Sequence, residues 1–247
     1  MASPTAQGVA QGVMDFSAKE VLTFDCYGTL IDWESGILNA VRPVLRQHSL
    51  EVSDEHLLEL FAELESSAEA DTYRPYTEIL ASVMRGLGRR LGFTATSADA
   101  AALAESVGDW PAFPDSSRAL MALKRKFKLA IISNTDDELF AASNRHLGVE
   151  FDWIITAQQA RSYKPAINNF RVAFERIGLP TERLLHVAQS LFHDHVPARL
   201  LGLDTVWVNR RHGRPGPGAT PPASAQPTLE VPDMRTLAEL LSPNSGA

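Results

Sequence analysis

Four short apolar runs in this chain end in polar residues whose types could do chemistry together. Asp25 closes the run Val21–Asp25, and Tyr27, Gly28 and Thr29 follow it in the stretch FDCYGTL. Ser133 closes Leu129–Ser133, with Asn134 next. Lys164 lies beyond Asp152–Thr156, and Gln189 and Ser190 follow Leu184–Ala188, with His193, Asp194 and His195 just after. The set offers two carboxylates, one ammonium and several hydrogen-bond donors. An ammonium within a few ångströms would hold both carboxylates ionised by lowering their pKa. An ionised carboxylate can serve as nucleophile or as general base.

The elements around these residues explain how they could meet. A fifth run, Thr205–Val208, completes a series in which strand-like segments alternate with helical periods at Glu138–Leu147, Asn168–Ile177 and Val196–Leu201. Such alternation predicts a parallel sheet with helices on both faces and right-handed crossovers. Ligands of open α/β sheets bind beyond the carboxyl ends of the strands, where these loops would converge.

Residues 34–112 hold no strand-like run and read as four helices: Gly36–His48, Asp54–Ser67, Thr77–Leu91 and Ala98–Gly108. Ser53 ahead of an acidic first turn is a helix-start signal, and two prolines in DWPAFPD end the helical stretch. The expected organisation is α/β: a Rossmann-like catalytic core from residues 1–33 and 113–247, with a helical cap, 34–112, inserted after the first strand. Near the C-terminus RRHGRPGPGATPPASAQPT is too rich in Pro and Gly for helix or strand. It predicts an extended surface loop before a short final helix at Met234–Leu241.

Composition excludes some functions. A net charge of −7 argues against nucleic-acid or anionic-membrane partners, though not against a small anionic substrate. One cysteine, Cys26, permits no intrachain disulfide and no zinc knuckle, and it reads as a core residue. No run is apolar for long enough to span a bilayer, and the N-terminal MASPTAQGVAQGV does not have the form of a signal peptide. A cytoplasmic protein is expected. His193 and His195 are too few for a metal site and read as structural. Trp110, Phe113 and Phe61 read as packing within the cap.

Asp25-x-Tyr27-Gly28-Thr29, then Ser133-Asn134, then Lys164-Pro165, then Ser190-x-x-x-Asp194, each after a strand-like run, resembles the haloacid dehalogenase superfamily. Tyr27 points to its 2-haloacid dehalogenase branch. The superfamily's phosphatases carry a second aspartate at that position to protonate the leaving alcohol, and a magnesium-binding carboxylate in a V-G-D-S pattern. This chain has Tyr27, and it reads Val187-Ala188-Gln189-Ser190 in place of the latter. A departing halide needs no proton, and a singly charged acid needs no magnesium, so one chemical reason covers both changes.

The resemblance implies a metal-independent, cofactor-free hydrolase of small halogenated carboxylic acids and a homodimer; fluoroacetate joins the candidates because His193 and His195, flanking Asp194, could donate hydrogen bonds to a departing fluoride. It assigns Asp25 as nucleophile, Lys164 as the cation that holds the carboxylates ionised, and Asp194 as the group that activates water. Thr29 and Ser133 would fix Asp25. Tyr27, Asn134, Gln189, Ser190 and His193 would surround the substrate. Two departures stand out: the cap stretch Leu60–Ser67 has no halide-gripping arginine, leaving Arg42, Arg74 or a histidine as substitutes, and Phe170 replaces a tyrosine. The rival readings are a phosphatase of the same superfamily, a hydrolase of another activated C2 centre such as a small cyclic amino acid, and a binding protein without turnover.

Overall fold

The computed structural model describes residues 16–242, so the N-terminal stretch read above for a signal sequence lies outside them. Six strands form one sheet in the order β3-β2-β1-β4-β5-β6. They are β1 Val21–Phe24, β2 Lys128–Ser133, β3 Trp153–Thr156, β4 Leu184–Ala188, β5 Asp204–Val208 and β6 Leu229–Val231. Every neighbouring pair is parallel. β1 and β4 are buried along their whole length, which is why they read as unbroken apolar runs rather than alternating ones. Strand order reverses between β1 and β4, and the crevice beyond their carboxyl ends is where such sheets bind ligands.

The first four helices after β1 are α1 Trp33–Gln47, α2 Asp54–Glu69, α3 Tyr76–Leu91 and α4 Ser97–Ser106. Local chemistry fixes their starts. Asp32 caps α1 by accepting from the Ser35 N–H, Ser53 caps α2 through the His56 N–H, and Thr96 with Asp99 forms a reciprocal capping box on α4. Gly92 ends α3 in a left-handed conformation that costs glycine little. The apolar faces of these helices join one buried cluster with β1, through Ile37, Val41, Phe61, Leu80 and Leu103.

The core helices are α5 Ser116–Lys124, α6 Asp137–Leu147, α7 Ala157–Ala160, α8 Asn168–Ile177, α9 Val196–Leu200 and α10 Met234–Leu241. Three elements go beyond the sequence reading, one of them the four-residue α7 directly after β3. α5 lies between the proline break and β2, and the three-residue β6 adds an edge strand just after the Pro/Gly tract. That tract also departs from the expected surface loop. Ala219 is fully buried and Thr220 nearly so. Arg211 and Arg214 pair with Glu34 of α1, whose other oxygen accepts from the Ala219 N–H. Gly218 has φ +72°, and a side chain there would collide with Glu34. A residue type that cannot sustain a helix can still be held in place by a buried ion pair. Among the described residues no helix is long and apolar enough to cross a membrane.

Candidate active site

Asp25 is the first residue past β1, 6% exposed, and both its carboxylate oxygens are engaged. Thr29 Oγ1 donates to Oδ2 at 2.7 Å and Lys164 Nζ donates to Oδ1 at 2.9 Å. The turn that brings Thr29 back depends on Gly28, which has φ +90° and would place a Cβ 2.9 Å from Trp33 Nε1. Thr29 Oγ1 in turn accepts from the Gln189 N–H at 2.8 Å, so the loop after β4 helps hold the loop after β1.

Lys164 is 1% exposed and makes three hydrogen bonds: to Asp25, to Asp194 Oδ1 at 2.7 Å and to the Ile132 carbonyl at 2.8 Å. Burial opposes its charge, but Asp194 and Asp25 outweigh that and raise its pKa, so it stays an ammonium. Burial likewise works against the Asp194 carboxylate, yet Lys164 and His186 hold its pKa well below the ordinary value. At Asp25 the balance goes the other way. Burial and the Asp194 charge outdo Lys164 and Thr29, so its pKa lies above the usual carboxylate value. One cation therefore serves two carboxylates unequally: Asp194 is firmly ionised, and Asp25 is the more basic.

The sequence reading did not single out His186, which stands in the middle of buried β4. Its Nε2 lies 3.0 Å from Asp194 Oδ1 and its Nδ1 lies 2.8 Å from Oγ1 of Thr23, its cross-strand neighbour on β1. An ionised carboxylate only accepts, so Nε2 carries a proton and donates to Asp194. The available signal was a polar residue inside each of two otherwise apolar strands.

A small cavity of about 30 Å³ opens on these groups. Core residues Asp25, Tyr27, Ser133, Asn134, Lys164, Ser190, His193 and Asp194 line it. Trp33, Glu65, Glu69 and Tyr76 join them from the inserted helices, and Thr220 from the Pro/Gly tract. The last five were not legible as site residues. Glu65 and Glu69 are four apart on α2 and share a face, but only the fold shows which way that face looks.

Some expected contacts take another form. Ser133 Oγ is buried with no hydrogen-bond partner, so it does not fix Asp25. The Asn134 amide is occupied by the protein: Nδ2 donates to Glu69 and to the Lys164 carbonyl, and Oδ1 accepts from the Lys164 N–H. The Gln189 side chain faces Thr220 Oγ1 at 3.3 Å. Tyr27 donates to or accepts from Ser143 Oγ at 2.9 Å and packs edge-on against Trp110. His195 bonds Thr205 and the Ala188 carbonyl, a structural role. His193 shares a bond with Ser190 through Nδ1, and its buried Nε2 has no partner. Burial lowers the pKa of both histidines to about 4, so they are neutral at pH 7.

These groups do not fit a magnesium ion. An ammonium and a hydroxyl occupy the Asp25 oxygens, and the residue at the phosphatases' ligand position is an amide turned toward Thr220. Among the described residues no three His, Cys, Asp or Glu side chains group to hold a metal.

The sequence pattern of the haloacid dehalogenase-like hydrolases matches residues 19–188, from just before β1 to the end of β4. The chain belongs to that family. Among relatives of the haloacid dehalogenase-like chain, an (S)-2-haloacid dehalogenase from Pseudomonas putida is 27% identical over 237 residues, covering 90% of this chain and 97% of that protein. A haloacetate dehalogenase from a Moraxella species is 27% identical over 197 residues, covering 77% of this chain and 86% of that protein. The fold matches the L-2-haloacid dehalogenase of Xanthobacter autotrophicus, solved with chloropropionic acid covalently bound, at a TM-score of 0.74 and 20% identity. That match covers 92% of this chain and all of the other.

Against the family's dehalogenases the departures take physical form. Neither candidate cap arginine reaches the cavity. Arg42 pairs with Asp54, and Arg74 donates to Ser82. Phe170 is fully buried and meets the His186 ring edge-on at 5.1 Å.

Proposed function

We propose that this haloacid dehalogenase-like protein is a hydrolytic dehalogenase of short 2-haloalkanoic acids. Asp25 attacks C2, the carbon–halogen bond breaks with its electron pair leaving on the halide, and an aspartyl ester remains. Water activated by Asp194 adds to the ester carbonyl. The tetrahedral adduct then collapses, the departing alkoxide taking the water's proton by way of Asp194 to become the 2-hydroxy acid, and Asp25 returns to a carboxylate as the second proton passes to solvent. Lys164 keeps Asp194 charged throughout and binds Asp25 as the free carboxylate, and His186, held by Thr23, fixes the orientation of Asp194.

The observation that carries this reading is the Asp25–Lys164–Asp194 arrangement. It places a more basic carboxylate and a firmly ionised one on a single ammonium, beside a cavity sized for a molecule of few heavy atoms. Fluoroacetate is among the substrates small enough. Halide-selective detection of release from 2-fluoro, 2-chloro and 2-bromo acids, with and without a chelator, tests it. Release that is lost in Asp25→Asn and insensitive to chelation is expected. Chelator-sensitive phosphate release from a phosphomonoester, with no halide release, overturns it.

A further inference from the structure

The cavity has no arginine on its wall, and its single cation, Lys164, is committed to Asp25, Asp194 and a carbonyl. In its place stand two cap carboxyl groups. Glu65 is 2% exposed, and its Oε1 accepts from Tyr76 Oη at 2.5 Å. Glu69 takes the Asn134 amide, with His193 Nε2 3.8 Å away. Two ionised carboxylates here would repel both a substrate carboxylate and a departing halide.

The titratable groups that face Glu65 are Tyr76 on α3, Glu69 on its own helix, and Asp25 and Tyr163 from the core. Burial, opposed by the Tyr76 hydrogen bond and aided by the Asp25 charge, raises its pKa to about 8. It therefore keeps its proton at neutral pH and is a hydrogen-bond donor. A second, independent observation points to a polar ligand in the cavity. Ser133 Oγ and His193 Nε2 line it, buried and unpartnered. The His193 backbone N–H donates to Ser190 Oγ, and the same hydroxyl shares a hydrogen bond with the ring Nδ1. Away from Asp25 and Asp194 the cavity thus presents neutral polar groups and no uncommitted cation.

We propose that Glu65, as a carboxylic acid held by Tyr76, donates a hydrogen bond to the halide as Asp25 displaces it, and that this favours fluorinated substrates. The inference rests on the dehalogenase reading. The C2–halogen electron pair leaves on the halide, the Asp25 oxygen takes its place on C2, and the proton stays on Glu65. Fluoride, small and strongly hydrogen-bonding, gains most from such a donor, and bromide least.

Fluoride and bromide release by wild type, Glu65→Gln and Glu65→Leu, across pH 6 to 10, tests the proposal. Wild-type turnover should fall as pH rises through about 8, where Glu65 ionises. Glu65→Gln, still a neutral donor, should be slower but lack that fall. Glu65→Leu should lose roughly a hundred- to a thousand-fold in fluoride release, the range for removing one donor to developing charge, and far less in bromide release. An alkaline limb that persists in Glu65→Gln, or a fluoride-to-bromide ratio unchanged in folded Glu65→Leu, overturns the proposal and leaves the dehalogenase reading standing. A wild type that releases no halide from any 2-halo acid overturns that reading instead.

Discussion

Lys164 Nζ lies 2.7 Å from Asp194 Oδ1, and the other oxygen of that buried carboxylate, Oδ2, has no hydrogen-bond partner. One oxygen is thus fixed by Lys164 and His186, and the second is bare beside the cavity. Leaving such an acceptor unsatisfied is costly, and a water in position to attack an Asp25 ester would satisfy it. Asp194→Asn should therefore spare the first step and stop the second. A burst of halide equal to the enzyme present, followed by turnover slowed roughly a hundred- to ten-thousand-fold, is expected in rapid-mixing experiments. Equal slowing of burst and steady state would remove Asp194 from the hydrolytic step.

His186 acts on Asp194 from inside the sheet, so its replacement should reach the chemistry without touching substrate. His186→Phe leaves Asp194 with Lys164 alone and the Thr23 hydroxyl without its hydrogen-bond partner. About 1–3 kcal/mol of stability should be lost, and the steady-state rate should fall more than the burst. Thermal melting and the same rapid-mixing assay check both.

The two neutral histidines make an acid-side prediction for stability. In the unfolded chain each binds its proton near pH 6.5, and in the folded protein only near 4. Between those values the unfolded state holds more protons, so their presence lowers stability as pH falls through that window. His195→Gln should be destabilised at pH 7 because Thr205 and the Ala188 carbonyl lose their partner. Its deficit in melting temperature should narrow as pH drops from 6.5 toward 4. A deficit that is constant with pH would mean that His195 does not titrate this way.

Glu34 ties α1 to the Pro/Gly tract through Arg211, Arg214 and the Ala219 N–H. Thr220, next in sequence, lines the cavity. Glu34→Ala leaves two arginines without their largely buried partner. It should expose residues 211–222 to limited proteolysis and raise KM more than it lowers kcat. Cleavage kinetics indistinguishable from wild type would show that the ion pair does not hold the tract.

Tyr27 marks the difference from the phosphatases, and its surroundings show why a single substitution should not restore their activity. It is buried against Trp110 and bonded to Ser143. Tyr27→Asp puts a carboxylate into that packing with no cation beside it. Loss of several kcal/mol and no phosphomonoesterase activity are expected. Tyr27→Phe should cost only about 1 kcal/mol.

The sequence was most readable where one local rule decides the outcome. Buried parallel strands are continuous apolar runs, so β1, β2 and β4 and the polar residues at their ends could be placed. The Ser53 cap and the helix Met234–Leu241 obey local signals as well. Elements that depend on distant partners were not readable. Three residues, Leu229–Val231, become a strand only because β5 offers an edge. The Pro/Gly tract is partly buried because Glu34, far away in sequence, anchors it. Glu65 and Glu69 belong to the site because of how α2 lies over the sheet, and a helical period alone does not reveal that. Cys26, expected in the core, is fully buried there.

The central claim is that an Asp25 oxygen, not water, forms the first bond to C2. A single turnover of a 2-halo acid, with enzyme in excess and water enriched in the heavy oxygen isotope, tests it most directly. The heavy oxygen should appear in the peptide that contains Asp25, while the 2-hydroxy acid carries the ordinary isotope. Label in the 2-hydroxy acid, with none in Asp25, would contradict the account.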